Sequence, residues 1–118
     1  MCNVNGVLCI PATQTHTEVL GALKLGCMLL KLFAPPANAD VGINLKALGE
    51  FLGCFPRQAE FMVTAGANFG NVEQYWRAGF LVVPSLVSSD LVRDRNWEEI
   101  TRRARLYMEI RRSISDPS

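Results

Sequence analysis

The sequence lacks long apolar runs and any large charge imbalance. No apolar segment among its 118 residues approaches the ~20 residues that a bilayer-spanning helix needs, so no membrane association is expected. The net charge is +1, from 12 basic and 11 acidic side chains, which gives no electrostatic reason to expect nucleic acid or an anionic membrane as a partner. Residues 1–6 have neither the charged start nor the apolar stretch of a secretory signal, so a cytoplasmic location is expected.

Metal-ligand patterns are also missing. The chain has four cysteines, none in a C-x-x-C pair, and a single histidine, His16. A structural zinc site needs four such ligands at close spacing, so we expect no metal and no other cofactor. The cysteines are therefore interpreted as free thiols that act as small apolar residues in a reducing compartment.

The chain is too short for a complete α/β barrel, which typically needs ~250 residues. A length of 118 residues indicates one domain over residues 1–118. The last residues, 113–118, are predicted to form a disordered tail.

Short apolar runs alternate with longer amphipathic segments. The predicted strands are residues 7–10, 27–33, 60–63 and 80–83. The predicted helices are residues 15–26, 43–52, 71–79 and 96–112. Unbroken apolar strands that alternate with helices favour a parallel sheet covered by helices. Four such units fit either a small doubly wound sheet or half of a (β/α)₈ barrel, and the pattern alone leaves both open.

Local signals mark several of these boundaries. Thr15 is followed three residues later by Glu18, which is the capping-box pattern of a helix start, and Gly26 suits the helix end. Pro11 is expected to stop the first strand. The last helix carries an apolar stripe that includes Trp97, which we expect in the core.

One lysine interrupts the second apolar run. Side chains alternate between the two faces of a strand, so Leu29, Lys31 and Phe33 share one face. An ammonium in such a run must be paired, reach water or lose its proton. The sequence therefore leaves two interpretations of Lys31: a strand-end lysine that reaches solvent, or a free amine that attacks a ketone.

The loop after the third strand offers a second polar group. Residues 64–68 supply a threonine hydroxyl and backbone N–H groups near a helix start. This is either a cradle for a carboxylate or phosphate or a plain connection between strand and helix. Residues 88–90, after the fourth strand, are expected to cap a turn.

Four segments resemble one family in order and with matching spacing. Residues 10–18 resemble "IPG-x-x-T-x-x-E", residues 31–35 "KFFPAE" and residues 63–67 "PTGGI", while residues 81–92 lie where the family has "GGSWLVPADL". These are motifs of the 2-keto-3-deoxy-6-phosphogluconate / 4-hydroxy-2-oxoglutarate (KDPG/KHG) aldolase family. The resemblance covers about residues 7–112.

The resemblance implies a class I, metal-free aldolase on a (β/α)₈ barrel. Such enzymes cleave 2-keto-4-hydroxy acids to pyruvate and an aldehyde and are usually homotrimers. This chain would be the back half of the barrel, with four β/α units and parallel strands. The first four strands of the family, which supply a general acid/base glutamate and a substrate-binding arginine, have no counterpart in it. A homo-oligomer or a complementing half-barrel is therefore expected as partner, together with a 2-keto acid such as pyruvate.

The resemblance also assigns roles to residues. Lys31 would form the imine with pyruvate. The residues that would bind substrate are Phe33, Thr64, Ala65, Gly66 and Ser85. Among these, Phe33 would pack against pyruvate and Ser85 would replace a phosphate-binding serine. The alternative is a non-enzymatic remnant or interaction module of the same fold, and a truncated product of a longer gene is a third interpretation.

Overall fold

The computed structural model describes residues 3–33, 41–64 and 66–115. Within these residues, a short 3₁₀ helix (Asn3–Asn5) precedes four strands and five helices. The strands are β1 (Ala12–Thr13), β2 (Leu29–Phe33), β3 (Glu60–Thr64) and β4 (Leu81–Val82). The helices are α1 (His16–Lys24), α2 (Val41–Cys54), α3 (Val72–Arg77), α4 (Ser89–Arg93) and α5 (Trp97–Ser115). In the described residues, no helix combines the length and apolarity needed to cross a membrane.

The four strands form one parallel sheet in the order β1-β2-β3-β4. Its central row places Ala12 beside Lys31, Lys31 beside Met62, and Met62 beside Leu81. Every strand pairs with the next one along the chain, and helices fill the connections, as a barrel-type α/β fold requires. The predicted parallel sheet is confirmed.

The first strand lies later in the chain than its apolar run predicts. Residues 7–10 are not in a strand, and β1 begins after Pro11, at Ala12. Proline lacks an N–H but keeps its carbonyl. The Pro11 carbonyl accepts a hydrogen bond from the Lys31 N–H at 2.9 Å. Pro11 therefore pairs with β2 through its carbonyl oxygen, whereas the sequence predicts that Pro11 ends the first strand.

The apolar core lies on one side of the sheet. Alternate side chains of β2 and β3 pack against α1, α2 and α3 on that side. The buried cluster consists of Val19, Ala22, Leu30, Leu32, Leu48, Phe61, Val63, Tyr75 and Phe80. Aromatic rings extend it, since Phe51 lies edge-on to Phe61 with ring centroids 6.0 Å apart.

The opposite face of the sheet, which we call the open face, carries the other alternate side chains. It includes Leu29, Lys31 and Phe33 of β2, and the corresponding positions of β1, β3 and β4. Phe33 is 49% exposed and Leu81 43% exposed, although both are large apolar residues. The helices thus cover one face, as they do on the outside of a barrel.

The α1 start matches its sequence pattern. The Thr15 hydroxyl accepts a hydrogen bond from the Glu18 N–H at 3.2 Å. In return, the Glu18 carboxylate accepts from the N–H groups of Gln14 at 2.7 Å and Thr15 at 3.0 Å. These backbone donors favour the ionised carboxylate and lower the pKa of Glu18 below its ordinary value of 4.5.

This capping contact predicts a pH dependence. Because the folded-state pKa of Glu18 is lowered, its contribution is complete above pH 4.5 and is lost as the pH falls through the lower folded value. Glu18→Gln is therefore expected to flatten the fall in melting temperature between neutral and acid pH. Circular dichroism melts of both proteins check this, and equal pH slopes would contradict it.

The last helix extends further than predicted, and its first residue is more exposed than predicted. It continues through Ser115, three residues into the segment expected to be disordered, and residues 116–118 lie outside the described part. Trp97, predicted to be in the core, is 56% exposed, because the packed part of α5 lies further along the helix, where Tyr107 stacks on Phe69 with ring centroids 4.0 Å apart.

Candidate active site

Lys31 lies on β2 and is half-buried on the open face. Its backbone is held on the β1 side, where its N–H donates to Pro11 at 2.9 Å and its carbonyl accepts from the Thr13 hydroxyl at 3.2 Å. Its Nζ atom lies 4.6 Å from the centroid of the Phe33 ring. The face of an aromatic ring attracts a cation at this distance, so the Phe33 ring favours this position of the Lys31 side chain.

The carboxyl ends of β2 and β3 lie side by side beyond Lys31. Phe33 and Thr64 are partners in the parallel register, and neighbouring strands are ~4.8 Å apart. Thr64 is half-buried. An amine, a half-exposed aromatic ring and a hydroxyl therefore share one face near the same edge of the sheet, where barrel enzymes bind substrate.

The loop after β3 is shaped by a buried asparagine. The Asn71 side chain is 7% exposed. Its Oδ1 accepts from the Asn68 N–H at 2.8 Å, and its Nδ2 donates to the Gly66 carbonyl at 2.8 Å. Gly66 has φ of +74°, a conformation that residues with a Cβ rarely adopt. The Asn71 side chain and the conformation of Gly66 together fix the path of the chain from Gly66 to Asn71.

Removal of this asparagine is expected to loosen the loop. Asn71→Ala leaves the Asn68 N–H and the Gly66 carbonyl without these partners, at a cost of about 2 kcal/mol in the free energy of unfolding. Urea titrations measure this loss. Asn68→Ala is the matched control, because Asn68 is exposed and its Oδ1 accepts one bond, from the Gly70 N–H at 2.8 Å. Equal losses in the two variants would contradict the role of Asn71.

Two predicted substrate-binding residues remain, Ala65 and Ser85. Ala65 lies outside the described residues. Ser85 is exposed in the segment that follows β4. The carboxyl ends of parallel strands meet at one edge of a sheet. Ser85 comes after the carboxyl end of β4, so it is on the same edge side of the sheet as Phe33 and Thr64, and β4 is two strands away from the strand of Lys31. Ser88, predicted to cap a turn, caps α4 by accepting from the Leu91 N–H at 3.4 Å.

Two relevant residues were missed by sequence reasoning. Asn71 was predicted only to begin a helix, whereas its side chain holds the loop before it. Glu60, with Met62 and Thr64, occupies the open face of β3, and it pairs in register with Leu29. Strand alternation from Thr64 would have placed Glu60 on the face of Lys31. Over residues 3–33, 41–64 and 66–115, no three metal-ligating His, Cys, Asp or Glu side chains come together.

A solved structure has the same fold. The chain matches a structure described as "Native KDPGal structure" with a TM-score of 0.68 and 18% sequence identity. The match covers 93% of this chain and 52% of that one, so the chain spans about half the length of this relative. The likeness identifies the four-stranded sheet as a fragment of a TIM-barrel-like aldolase fold. None of the curated protein sequences matches the chain.

A family model gives the closer assignment. The model described as "KDPG and KHG aldolase" matches residues 1–103. This range includes all four strands and the start of the last helix. It agrees with the resemblance found in the motifs around Lys31 and Thr64. The chain therefore belongs to the KDPG and KHG aldolase family.

Proposed function

We propose that the chain is a class I aldolase-type lyase, in which Lys31 forms an imine with a 2-keto-4-hydroxy acid and releases pyruvate and an aldehyde. Family membership supports an aldolase-type function in general. The observation that carries the finer proposal is the position of Lys31. It is the amine on the open face of β2, beside Phe33 and two residues before the Phe33–Thr64 pair.

The proposed reaction requires a free amine. The Lys31 amine attacks the ketone carbon, and loss of water gives an iminium. The iminium accepts the electron pair of the C3–C4 bond while the 4-hydroxyl gives up its proton to a water molecule, so the aldehyde leaves and an enamine remains. Protonation of the enamine at C3 and attack by water then release pyruvate and restore the lysine.

The surrounding residues support binding of a small keto acid. The Phe33 ring offers an apolar surface beside the amine. Thr64, the register partner of Phe33, offers a hydroxyl to the carboxylate or ketone oxygen. We assign the far end of the substrate to the loop at Ala65 and Gly66, with Ser85 following the neighbouring strand. A small-molecule substrate and an oligomeric state agree with the family.

A second candidate is a non-enzymatic protein of the same fold. It is favoured by the segment that follows β4, where Pro84 supplies no backbone N–H for a phosphate. In this case the fold would persist as a binding or structural module. The two candidates differ in whether the Lys31 amine reacts with a ketone.

Borohydride trapping separates these candidates. The protein is incubated with millimolar pyruvate and reduced with borohydride, and the intact mass and the tryptic peptides are measured. The proposed lyase is expected to carry one reduced pyruvyl group, on the peptide with Lys31. Only Lys24 and Lys46 are further lysines in the sequence, so the site is easily assigned. No adduct would favour the non-enzymatic candidate.

A further inference from the structure

We propose that a cavity at the amino edge of the sheet is a dithiol site, where Cys9 and Cys27 reduce a small disulfide that carries carboxylate and ammonium groups. The reaction leaves a disulfide between the two cysteines. The cavity lies at the opposite edge of the sheet from Phe33 and Thr64, so the inference is independent of the proposed lyase function.

Three segments that lead into neighbouring strands form this cavity, which we call the amino-edge cavity. Residues 8–9 precede β1, residues 26–29 lead into β2 and residues 57–60 lead into β3. The Glu60 N–H donates to the Met28 carbonyl at 2.8 Å, which ties the last two segments together. The cavity has a volume of about 550 Å³, which is in the usual range for sites that bind small molecules.

Two free thiols line the amino-edge cavity, those of Cys9 and Cys27, and both residues are half-buried. Cys27 packs against the apolar core, and its N–H donates to the Ala22 carbonyl at 3.1 Å, which holds it at the end of α1. Cys9 follows Leu8, which is 74% exposed, so an entering molecule reaches Cys9 first. In the part of the chain that the structure describes, no third metal-ligating side chain completes a cluster with them.

The strand register brings the two cysteines close together. Ala12 and Lys31 are partners in the register of β1 and β2. Cys9 lies three residues before Ala12. Cys27 lies four residues before Lys31. With strands ~4.8 Å apart and ~3.3 Å per residue, a continued register separates the two Cα atoms by ~6 Å, which a disulfide spans. The chain before β1 is outside the ladder, so the Cys9 backbone can adjust to the bond.

Two charged side chains line the same cavity. The Arg57 guanidinium and the Glu60 carboxylate are exposed there, and neither belongs to an ion pair among the described residues. A ligand that has both a carboxylate and an ammonium group can pair with both side chains. The disulfide of a small peptide or amino acid carries these groups on each side of its S–S bond. The cavity therefore favours such a disulfide over a neutral one.

The exchange has two steps, and each step conserves electrons. The Cys9 thiolate attacks one sulfur of the bound disulfide, so a mixed disulfide forms and the other half leaves as a thiolate. The Cys27 thiolate then attacks the Cys9 sulfur and expels the second half. The protons that the two cysteines lose are taken up by the two released thiolates. The protein dithiol is thus oxidised, and the ligand disulfide is reduced to two thiols.

Glutathione disulfide is the probe for this reaction. The full chain is reduced, separated from the reductant and incubated with the probe. The remaining thiols are then alkylated, and the tryptic peptides are measured by mass spectrometry. Trypsin places Cys9 on residues 1–24, Cys27 on residues 25–31 and Cys54 on residues 47–57. A disulfide that joins the first two peptides is expected to form before Cys54 gains glutathione.

Matched cysteine variants identify the pair. Cys2 shares the first peptide with Cys9, so Cys2→Ser is expected to keep the joined peptides and Cys9→Ser to lose them. Cys54 is exposed at the end of α2 and is not among the residues that line the cavity. Cys54→Ser is therefore expected to react like the wild type. In urea the preference for the Cys9–Cys27 disulfide is expected to disappear, because it depends on the fold.

Arg57→Ala tests the class of ligand. It is expected to slow the exchange with glutathione disulfide about tenfold and to leave the exchange with the neutral 2-hydroxyethyl disulfide unchanged. Lys46→Ala removes an exposed cation from α2 and is expected to change neither rate. Equal rates of Arg57→Ala and the wild type with glutathione disulfide, or equal slowing with both probes, would overturn the assignment of the ligand.

The peptide pattern decides whether the dithiol site exists. The joined peptides in the wild type and in Cys2→Ser, with none in Cys9→Ser, support it. Glutathione that stays on Cys9 or Cys27 without a bond between them overturns it. A disulfide between Cys2 and Cys27, or a Cys54 that reacts as fast as Cys9, overturns it as well.

Discussion

Lys31→Met is expected to abolish pyruvate trapping completely. Methionine resembles the methylene stem of lysine in length and apolar character but has no amine. The strand is therefore retained while the nucleophile is removed. The half-buried position on β2 accepts such a side chain, because its neighbours in the row, Ala12, Met62 and Leu81, are all apolar. Mass spectrometry after borohydride reduction is expected to show an adduct in the wild type and none in the variant.

The other lysines provide the control. Lys24 and Lys46 are exposed on α1 and α2. Lys24→Met and Lys46→Met are expected to trap pyruvate like the wild type. An adduct that survives in Lys31→Met, or disappears in Lys46→Met, would show that the reactive amine is elsewhere. The melting temperature of each variant confirms that the fold is intact.

Phe61→Ala is expected to give the largest loss of stability. Phe61 on β3 is 1% exposed. Its ring lies 6.0 Å from that of Phe51 and 6.5 Å from that of Phe55, between centroids. Loss of a buried phenyl group typically costs ~3–5 kcal/mol, a large part of the ~5–15 kcal/mol by which domains are stable. Urea unfolding at a fixed protein concentration measures the change.

Phe69→Ala is the matched control for this substitution. Phe69 is 38% exposed and stacks on Tyr107 at 4.0 Å between ring centroids. Such a contact contributes ~1 kcal/mol beyond area burial, so the loss is expected to be well below that of Phe61→Ala. If the two variants lost equal stability, the core would not be centred on the helix-covered face of the sheet.

Much of the architecture was predictable because the helices bury one face of the sheet, which requires apolar residues in the strands. A run such as residues 27–33, apolar except for Lys31, favours a parallel strand. The capping box of Thr15 and Glu18 marks the α1 start in the sequence itself. The location of β1 was not predictable in this way. Whether Pro11 ends a strand or joins it through its carbonyl depends on the neighbouring Lys31 N–H, which is a tertiary contact.

The candidate site was predictable only in part. Alternation along β2 places Lys31 and Phe33 on one face, but the contact between the amine and the ring depends on side-chain conformation. Asn71 illustrates a second limit, since an asparagine at a helix start is usually a cap, and here its side chain holds the preceding loop instead. Family resemblance supplied the roles that periodicity left open.

The unequal ladders of the sheet have a consequence for its dynamics. β2 and β3 share five paired positions, whereas β1 and β4 are each joined through two. Amides in short outer ladders open at low free energy, so hydrogen exchange should begin at Thr13 and at Val83, whose N–H donates to the Val63 carbonyl, and reach Leu32 last. Lys31 would then be carried by the strand pair that persists longest as the sheet frays from both sides.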